Sequence, residues 1–169
     1  MKKKIIENIK TLIYAFIIAI IIRSFFFQPF YIPSSSMEPN LLVGDRLFVS
    51  KYVYGYSRHS FPFSPNFSNK RYFGKIPERG DVIVFKTPAD NRTDYIKRLI
   101  GLPGDSIQFI NGDIYLNNNQ ILKTKSKKYR KINCGKATLE IEAFEEKLPN
   151  SKTYIAVYDK KNTYINSDK

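Results

Sequence analysis

Apolar residues are most concentrated near the N-terminus of the chain. Every position from 12 to 22 is apolar or aromatic, and three phenylalanines follow Arg23 and Ser24. With these phenylalanines included, the stretch approaches the ~20 residues that a helix needs to cross a bilayer. We therefore predict a basic cytoplasmic N-terminus over residues 1–10 and a transmembrane anchor over residues 11–30. By the positive-inside rule, the remainder of the chain lies across the membrane.

A cleaved signal peptide is the alternative interpretation of this segment, because it also combines a basic start with a short apolar core. Such a peptide ends in small residues spaced for cleavage. Here the chain reads Arg-Ser-Phe-Phe-Phe-Gln-Pro instead. We therefore expect the anchor to be retained.

Beyond the anchor, short apolar runs alternate with turns rich in Gly, Pro, Asn and Asp. This pattern is typical of strands joined by tight turns, and Asn111-Gly112 is a strong hairpin signal. We predict a mainly β domain over residues 31–158, an antiparallel sheet or barrel-like fold, and a polar tail over residues 159–169. The expected strands cover residues 41–43, 46–49, 82–85, 94–100, 107–109, 114–116, 121–122, 138–144 and 154–158.

Two segments lack a strand pattern. Residues 52–74 are irregular and mix aromatic side chains with Arg58, Lys70 and Arg71, which predicts a surface insertion to which we assign no function. Residues 123–131 carry six basic side chains, and we interpret them as a solvated loop.

Composition narrows the functional classes. The formal net charge of the 169 residues is +13, which suits nucleic acid or an anionic membrane surface as a partner. Cys134 is the single cysteine, so neither an intramolecular disulfide nor a cysteine zinc site can form. His59 is the single histidine, which removes most histidine-based triads and metal sites. We expect no cofactor and no metal.

A serine-rich stretch directly follows the anchor. Three consecutive serines lie between Pro33 and Pro39, and both prolines push the preceding residue towards extended geometry. The serines are therefore expected on a stiff loop at the membrane surface, where they could react. An ordinary Ser-Pro linker is the alternative.

Lys97 is the candidate partner for these serines. In a strand over residues 94–100, alternation places Lys97 on one face with Tyr95 and Leu99, and Arg98 on the other face. Loss of hydration beside an apolar wall disfavours an ammonium ion, and a neutral lysine can serve a serine as general base. The alternatives are a lysine that reaches solvent from a strand edge, or a simple basic surface formed with Arg98.

Together these motifs resemble those of bacterial type I signal peptidases, peptidase family S26. The serine stretch Ile-Pro-Ser-Ser-Ser-Met at residues 32–37 is similar to the nucleophile motif of that family. Arg-Gly-Asp-Val-Ile-Val-Phe at residues 79–85 looks like the strand motif that follows. Tyr-Ile-Lys-Arg-Leu-Ile-Gly-Leu-Pro-Gly-Asp at residues 95–105 looks like the lysine motif. The three stand in the family's order behind an anchor, and the resemblance extends to about Leu122.

The resemblance implies a function and a site. It makes Ser36 the nucleophile and Lys97 the general base of a serine protease that removes signal peptides from exported preproteins after Ala-x-Ala-like sites. The Ser34 hydroxyl and the Ser36 backbone N–H would form the oxyanion hole, and Ser35 stands where the family often has Gly. The implied substrate-binding residues are Ile32, Pro33, Met37, Asp94, Tyr95 and Ile96.

The same resemblance implies partners and a location. The partners would be signal peptides of preproteins and membrane lipid, with no nucleic acid. The protein would cross the inner (cytoplasmic) membrane once, with its N-terminus in the cytoplasm and its catalytic domain on the outer, periplasmic side. Neither a metal nor a cofactor is implied.

One family motif is missing from the chain. The family carries a Gly-Asp-Asn-Arg segment followed by Ser, Asp and Arg towards its C-terminus, and nothing after Gly135 matches it. We therefore expect a chain that is truncated at its C-terminus, and a catalytically impaired remnant is one alternative function. A non-catalytic, membrane-anchored basic binding protein is a second alternative. A self-cleaving Ser-Lys protein of the repressor type is a third, against which the anchor argues.

Overall fold

The computed structural model describes residues 2–66, 68–126, 130–134 and 137–158. The predicted tail over residues 159–169 lies outside this described part. One α-helix is described, α1 (Lys2–Phe25). The described strands are β1 (Phe27–Tyr31), β2 (Arg46–Ser50), β3 (Val82–Lys86), β4 (Asp94–Arg98), β5 (Ile107–Ile110), β6 (Asp113–Leu116), β7 (Asn119–Gln120), β8 (Leu122–Lys125), β9 (Arg130–Cys134), β10 (Ala137–Lys147) and β11 (Thr153–Tyr158).

Helix α1 overlaps the predicted anchor but has different ends. It begins at Lys2, so the basic N-terminal residues are helical too, in keeping with the good helix propensity of lysine. It is the one helix in the described part that is long and apolar enough to cross a membrane. The helix ends at Phe25 and Phe27–Tyr31 forms strand β1, so the last residues of the predicted anchor segment 11–30 are not helical. Pro29 explains this limit, since a proline inside a helix removes a hydrogen bond and clashes with the preceding turn.

The chain folds into two compact units, and helix α1 lies in the first. This unit comprises residues 1–31 and 46–76. Strands β1 and β2 pair antiparallel in it, with Pro29 opposite Phe48. The ring of Phe25 meets the rings of Tyr56 and Phe61 edge to face, at centroid distances of 5.7 and 5.5 Å. Aromatic contacts therefore tie the end of the helix to the irregular segment that follows β2.

The second unit comprises residues 32–45 and the chain from Pro77 onwards. It contains the hairpin β3–β4, the sheet β5-β6-β7 and the sheet β11-β10-β8, and β9 pairs with the other half of the long strand β10. All these pairings are antiparallel. Its best-defined core is formed by Leu116, Ile121 and Leu148. The prediction of a mainly antiparallel β protein preceded by one apolar helix is confirmed.

Two predictions about individual segments are wrong. The expected strand at residues 41–43 is absent, and these residues form the turns that close the serine segment. The expected basic loop begins instead as strand β8 and resumes as strand β9, while residues 127–129 lie outside the described part. In β8, Lys123 bonds to Asp113 (3.2 Å) and Lys125 to Glu142 (2.8 Å). Asp113 is on β6 of the adjoining part of the chain and Glu142 is on β10, which pairs with β8, so a run of lysines is compatible with a sheet.

Candidate active site

The serine segment is held by two buried side chains on either side of its hydroxyls. Ile32 is 2 % exposed and Met37 is 7 % exposed, whereas Ser34 and Ser36 are exposed. Ile32 also bonds through its backbone, with its N–H donating to the carbonyl of Asp45 (3.0 Å). The serines therefore stand on a loop whose two apolar ends are fixed in the second unit.

The backbone of this loop turns at the serines. Ser34 is extended, with φ −135° and ψ 153°, and a single 3-10 turn covers Ser35–Met37. Glu38 is extended again, as expected for a residue before proline. The tight turn brings the hydroxyls of Ser34 and Ser36 to the same side of the loop, with 3.4 Å between their oxygens.

Lys97 lies in the strand pair β3–β4. It is opposite Ile83 in the register, and Tyr95 on the same face is opposite Phe85. The rings of Tyr95 and Phe85 meet edge to face with centroids 6.2 Å apart, and Lys97 Nζ lies 5.8 Å from the centre of the Tyr95 ring. Lys97 is therefore half-buried on an apolar face, as the alternation in the sequence predicts.

The structure brings Lys97 and Ser36 into direct contact. Lys97 Nζ donates a hydrogen bond to Ser36 Oγ, across 61 residues of sequence. In the described part of the chain, no carboxylate lies within ion-pair distance of Lys97. An amine without a carboxylate partner is free to exchange a proton with the serine hydroxyl. The contact therefore has the geometry of a nucleophile and its base.

The structure brings only some of the predicted substrate-binding residues beside this pair. Tyr95 shares the face of Lys97, and Pro33 is exposed next to the serines. Ile32 and Met37 are buried beneath the loop. By strand alternation, the side chains of Asp94 and Ile96 lie on the other face of β4, where Asp94 pairs with Lys86 (2.8 Å). Those two residues can border the site through their main chain alone.

Asp105, in the turn after β4, forms an ion pair with Arg79, which precedes β3, and the sequence analysis assigned no role to this pair. Arg79 donates to Asp105 (2.7 Å) and to the carbonyl of Ile100 (2.8 Å). Asp105 also accepts from the N–H of Leu102 (2.5 Å) and from the Asn117 amide (2.8 Å). The Arg79 hydrogen bond and these further donors hold the pKa of Asp105 well below its usual range. Arg79 is the first residue of the motif at 79–85, and Asp105 is the last residue of the motif at 95–105. These positions are the sequence signal that could have indicated the pair.

The candidate site offers two hydroxyls and an amine. Among the residues that the structure describes, no group of three or more His, Cys, Asp or Glu side chains could hold a metal ion. The hydroxyl of Ser36, the amine of Lys97 and the hydroxyl of Ser34 lie together on the surface of the second unit. Such an arrangement can carry out acyl transfer.

Comparison with known proteins agrees with the motifs. The family model described as signal peptidase, peptidase S26, matches residues 5–166, well beyond Leu122 where the motif resemblance ends. Signal peptidase I of Rickettsia typhi is 40 % identical over 157 residues, which are 91 % of this chain and 58 % of that protein. Signal peptidase I of Rickettsia felis is 43 % identical over 148 residues, which are 85 % of this chain and 54 % of that protein. The chain therefore spans somewhat more than half the length of these relatives.

Proposed function

Because this chain belongs to the signal peptidase family, peptidase S26, we propose that it is a membrane-anchored serine endopeptidase that removes N-terminal signal peptides from exported preproteins. The observation that carries the proposal is the hydrogen bond between Lys97 Nζ and Ser36 Oγ. A serine hydroxyl is a weak nucleophile until a base takes its proton, and Lys97 is the base within reach. Ser36 and Lys97 thus form a catalytic dyad.

The reaction proceeds in two acyl-transfer steps. Neutral Lys97 takes the proton of Ser36 Oγ as this oxygen attacks the scissile carbonyl carbon. The resulting ammonium returns the proton to the leaving amine as the peptide bond breaks, which leaves an ester on Ser36. Lys97 then takes a proton from water, the hydroxide oxygen attacks the ester, and Ser36 regains its proton as the signal peptide leaves.

The negative charge of the tetrahedral intermediate needs donors aimed at its oxygen. The Ser34 hydroxyl, 3.4 Å from Ser36 Oγ, and the Ser36 backbone N–H are the donors that we propose. Both lie on one tight turn whose ends are fixed by buried Ile32 and Met37. Donors fixed before the reaction stabilise the developing charge without the cost of reorganisation.

We propose that the site selects small residues at the first and third positions before the scissile bond because it excludes large side chains. Ile32 and Met37 fill the space beneath the serine loop, and the Tyr95 ring stands beside the lysine amine. The shallow apolar pockets that we propose here would reject large side chains by overlap and gain little from small ones. We therefore propose cleavage after Ala-x-Ala-like sequences.

Helix α1 is proposed to anchor the catalytic unit in the cytoplasmic membrane. Its length and composition support a single span, and its basic N-terminal residues support a cytoplasmic start. The catalytic unit then lies on the outer side, where signal peptides emerge. Confinement to one membrane raises the effective concentration of the substrate without any further contact.

The test is cleavage of a purified preprotein in detergent micelles. We expect the chain to release a signal peptide that ends in Ala-x-Ala, with the new N-terminus identified by sequencing. A preprotein with Leu in place of the third-position Ala is expected to resist cleavage. The Ser36→Ala variant is the control for contaminating proteases and should be inactive. No cleavage by the unaltered chain would favour the impaired remnant over an active enzyme.

A further inference from the structure

Strand β11 contacts the serine segment through a backbone carbonyl. The carbonyl of Ile155 accepts a hydrogen bond of 2.9 Å from Asn40 Nδ2, across 115 residues of sequence. Asn40 follows Ser36 by four positions, and its N–H donates to the carbonyl of Met37 (3.0 Å). The contact therefore holds the turn that carries the nucleophile.

Tyr154, the residue before Ile155 in β11, contacts β4, the strand that carries Lys97. The Tyr154 ring lies 5.0 Å from the guanidinium carbon of Arg98, the immediate neighbour of Lys97 on the opposite face of β4. Arg98 also donates to the carbonyl of Gly80 (2.7 Å). Burial lowers the pKa of Arg98, in keeping with a guanidinium that is partly removed from water. A partly desolvated cation over an aromatic ring is a stronger contact than an exposed one.

Tyr154 is itself rigidly held. Its hydroxyl donates to Glu146 on strand β10, directly opposite in the register, and Glu146 accepts a second hydrogen bond from Tyr158. Glu146 is only 2 % exposed. Tyr154 also packs against the core formed by Leu116, Ile121 and Leu148. The ring beneath Arg98 therefore packs against the buried apolar cluster of the unit.

We propose that strand β11 is a brace that aligns Ser36 with Lys97, with Asn40, Arg98 and Tyr154 as positioning residues. The proposal rests on the proposed function, because it concerns the same dyad. Two consecutive residues of β11 make these contacts. The Ile155 carbonyl bonds to the serine segment, and the Tyr154 ring contacts Arg98 on β4. In the described residues, β3 and β4 form a sheet of only two strands, so this support is not supplied by further strand pairing.

Such a brace is needed because the dyad is sensitive to small displacements. A catalytic hydrogen bond has to be held within about 0.5 Å of its productive geometry. Ser36 and Lys97 come from elements 61 residues apart, and both lie on the exposed side of the unit. Loss of either contact with β11 is therefore expected to separate the hydroxyl from the amine without unfolding the core.

The test measures the reactivity of a thiol in place of the nucleophile, and it does not depend on preprotein cleavage. Ser36→Cys is made in the full chain together with Cys134→Ser, which removes the single native cysteine. The rate of alkylation by iodoacetamide is followed from pH 5 to pH 10 in detergent micelles. An amine that takes the thiol proton becomes an ammonium ion beside the thiolate and stabilises it, so the Lys97→Ala variant should react about 3–10-fold more slowly at neutral pH.

The positioning residues are then changed in this background. Asn40→Ala and Tyr154→Leu are each expected to slow alkylation at neutral pH by about 3–10-fold and to move the midpoint of its pH profile upwards, as in Lys97→Ala. Tyr154→Phe keeps the ring against Arg98 and should retain most of the reactivity. Asn40 is an exposed side chain, so its variant tests the brace even where Tyr154→Leu folds poorly.

Matched controls separate alignment from general stability. Tyr158→Phe loses the same kind of buried hydrogen bond to Glu146 as Tyr154 makes. Asn150→Ala loses an amide-to-carbonyl bond of 2.7 Å to Arg79 that does not involve the serine segment. Both controls should leave the pH profile of alkylation unchanged.

Each outcome bears on a different claim. Slower alkylation in both control variants, to the same extent as in Asn40→Ala and Tyr154→Leu, would reduce β11 to a structural strand and overturn the brace. Unchanged alkylation in Asn40→Ala and Tyr154→Leu, with a slower Lys97→Ala, would overturn the brace and leave the dyad intact. An unchanged Lys97→Ala would overturn the dyad and the brace with it.

Discussion

At the scale of single residues, Ser34 has the most specific proposed role after the proposed pair of Ser36 and Lys97. Its side chain is exposed on the same side of the turn as Ser36, with 3.4 Å between the two hydroxyl oxygens. A hydroxyl at this position can donate to the oxygen of a tetrahedral intermediate. It is not needed for the fold, because the serine segment is held by Ile32 and Met37 and by backbone hydrogen bonds.

Ser34→Ala is therefore expected to lower kcat by about 10²-fold while KM changes little, since one oxyanion donor is commonly worth that much. The measurement is steady-state cleavage of a peptide with an Ala-x-Ala site. Ser35→Ala, on the same turn, is the matched control and should cleave nearly as well as the unaltered chain. Equal losses in the two variants would show that the turn, and not the hydroxyl, is responsible.

Lys97 and Arg98 illustrate how neighbouring basic residues acquire different environments. Lys97 faces Ser36 and the Tyr95 ring, whereas Arg98 faces Tyr154 and the carbonyl of Gly80. Strand alternation alone separates them. The sequence was sufficient to predict this division, because a regular strand leaves no other choice.

At the scale of elements, the turn after β4 fixes the end of this strand, which carries Lys97. Asp105 is its centre, and it accepts from Arg79, from the Leu102 N–H and from the Asn117 amide. These donors lower the pKa of Asp105 in the folded chain, with the hydrogen bond from Arg79 as the largest cause. The stabilisation from Asp105 is thus complete above its unfolded pKa of about 3.9 and is lost as the pH falls towards the folded value.

Asp105→Asn is expected to reduce the dependence of stability on pH below about pH 4, because the substituted amide does not titrate. At neutral pH the variant should be less stable, since the charge-assisted bond to Arg79 is weakened. Denaturant unfolding at several pH values measures both effects. Asp90 also has a lowered pKa, of about 2, from its hydrogen bond with Thr93, and Asp90→Asn is the comparison outside this turn. An Asp105→Asn curve parallel to that of the unaltered chain at all pH values would contradict the account.

Much of the β-strand pattern could be predicted from the sequence, and the failures have physical causes. Asn111-Gly112 joins β5 to β6 as its turn chemistry predicts. The strand expected at residues 41–43 fails because backbone bonds to the carbonyl of Met37 turn the chain there. The lysines of β8 suggested a loop because the carboxylates that pair with them are 10 and 17 residues away in the sequence, outside the basic run.

The sequence was sufficient to predict the chemical groups of the candidate site, but not the contacts that hold these groups in place. The motifs identify Ser36 and Lys97 because each is local in sequence. The contact between Asn40 and Ile155 joins residues 115 positions apart and depends on the folding of β10 and β11. No pattern within either segment indicates it. Motifs thus predict the reacting groups, whereas the contact proposed to align them is visible only in the folded chain.

At the scale of the whole molecule, the charge distribution supports a membrane location. Residues 46–76 contain six Lys and Arg and no Asp or Glu. Phe63 and Phe73 in the same segment are 103 % and 89 % exposed. Basic side chains beside exposed aromatic rings suit the interface of an anionic bilayer. This segment belongs to the same compact unit as helix α1.

Deletion of residues 2–22 is expected to separate anchoring from chemistry. The deleted chain should appear in the alkaline carbonate supernatant, whereas the full chain should stay in the membrane pellet. The deletion keeps Phe25, whose ring contacts Tyr56 and Phe61. Cleavage of a short soluble peptide should be retained, while cleavage of a membrane-inserted preprotein should fall by about 10²-fold or more as effective concentration is lost. Retention of the deleted chain in the carbonate pellet would contradict a single anchoring helix.

The most direct test of the central claim compares kcat/KM for one preprotein between the unaltered chain, Ser36→Ala, Lys97→Ala and the double variant. Residues that act as a unit are strongly non-additive, so each single variant should lose about 10³-fold or more and the double variant little further. Lys125→Ala, a lysine paired with Glu142 at 2.8 Å, should remain active. Cleavage by the unaltered chain should rise with pH, because only a neutral amine can take the proton of the serine. Near-normal cleavage by Lys97→Ala would contradict the dyad.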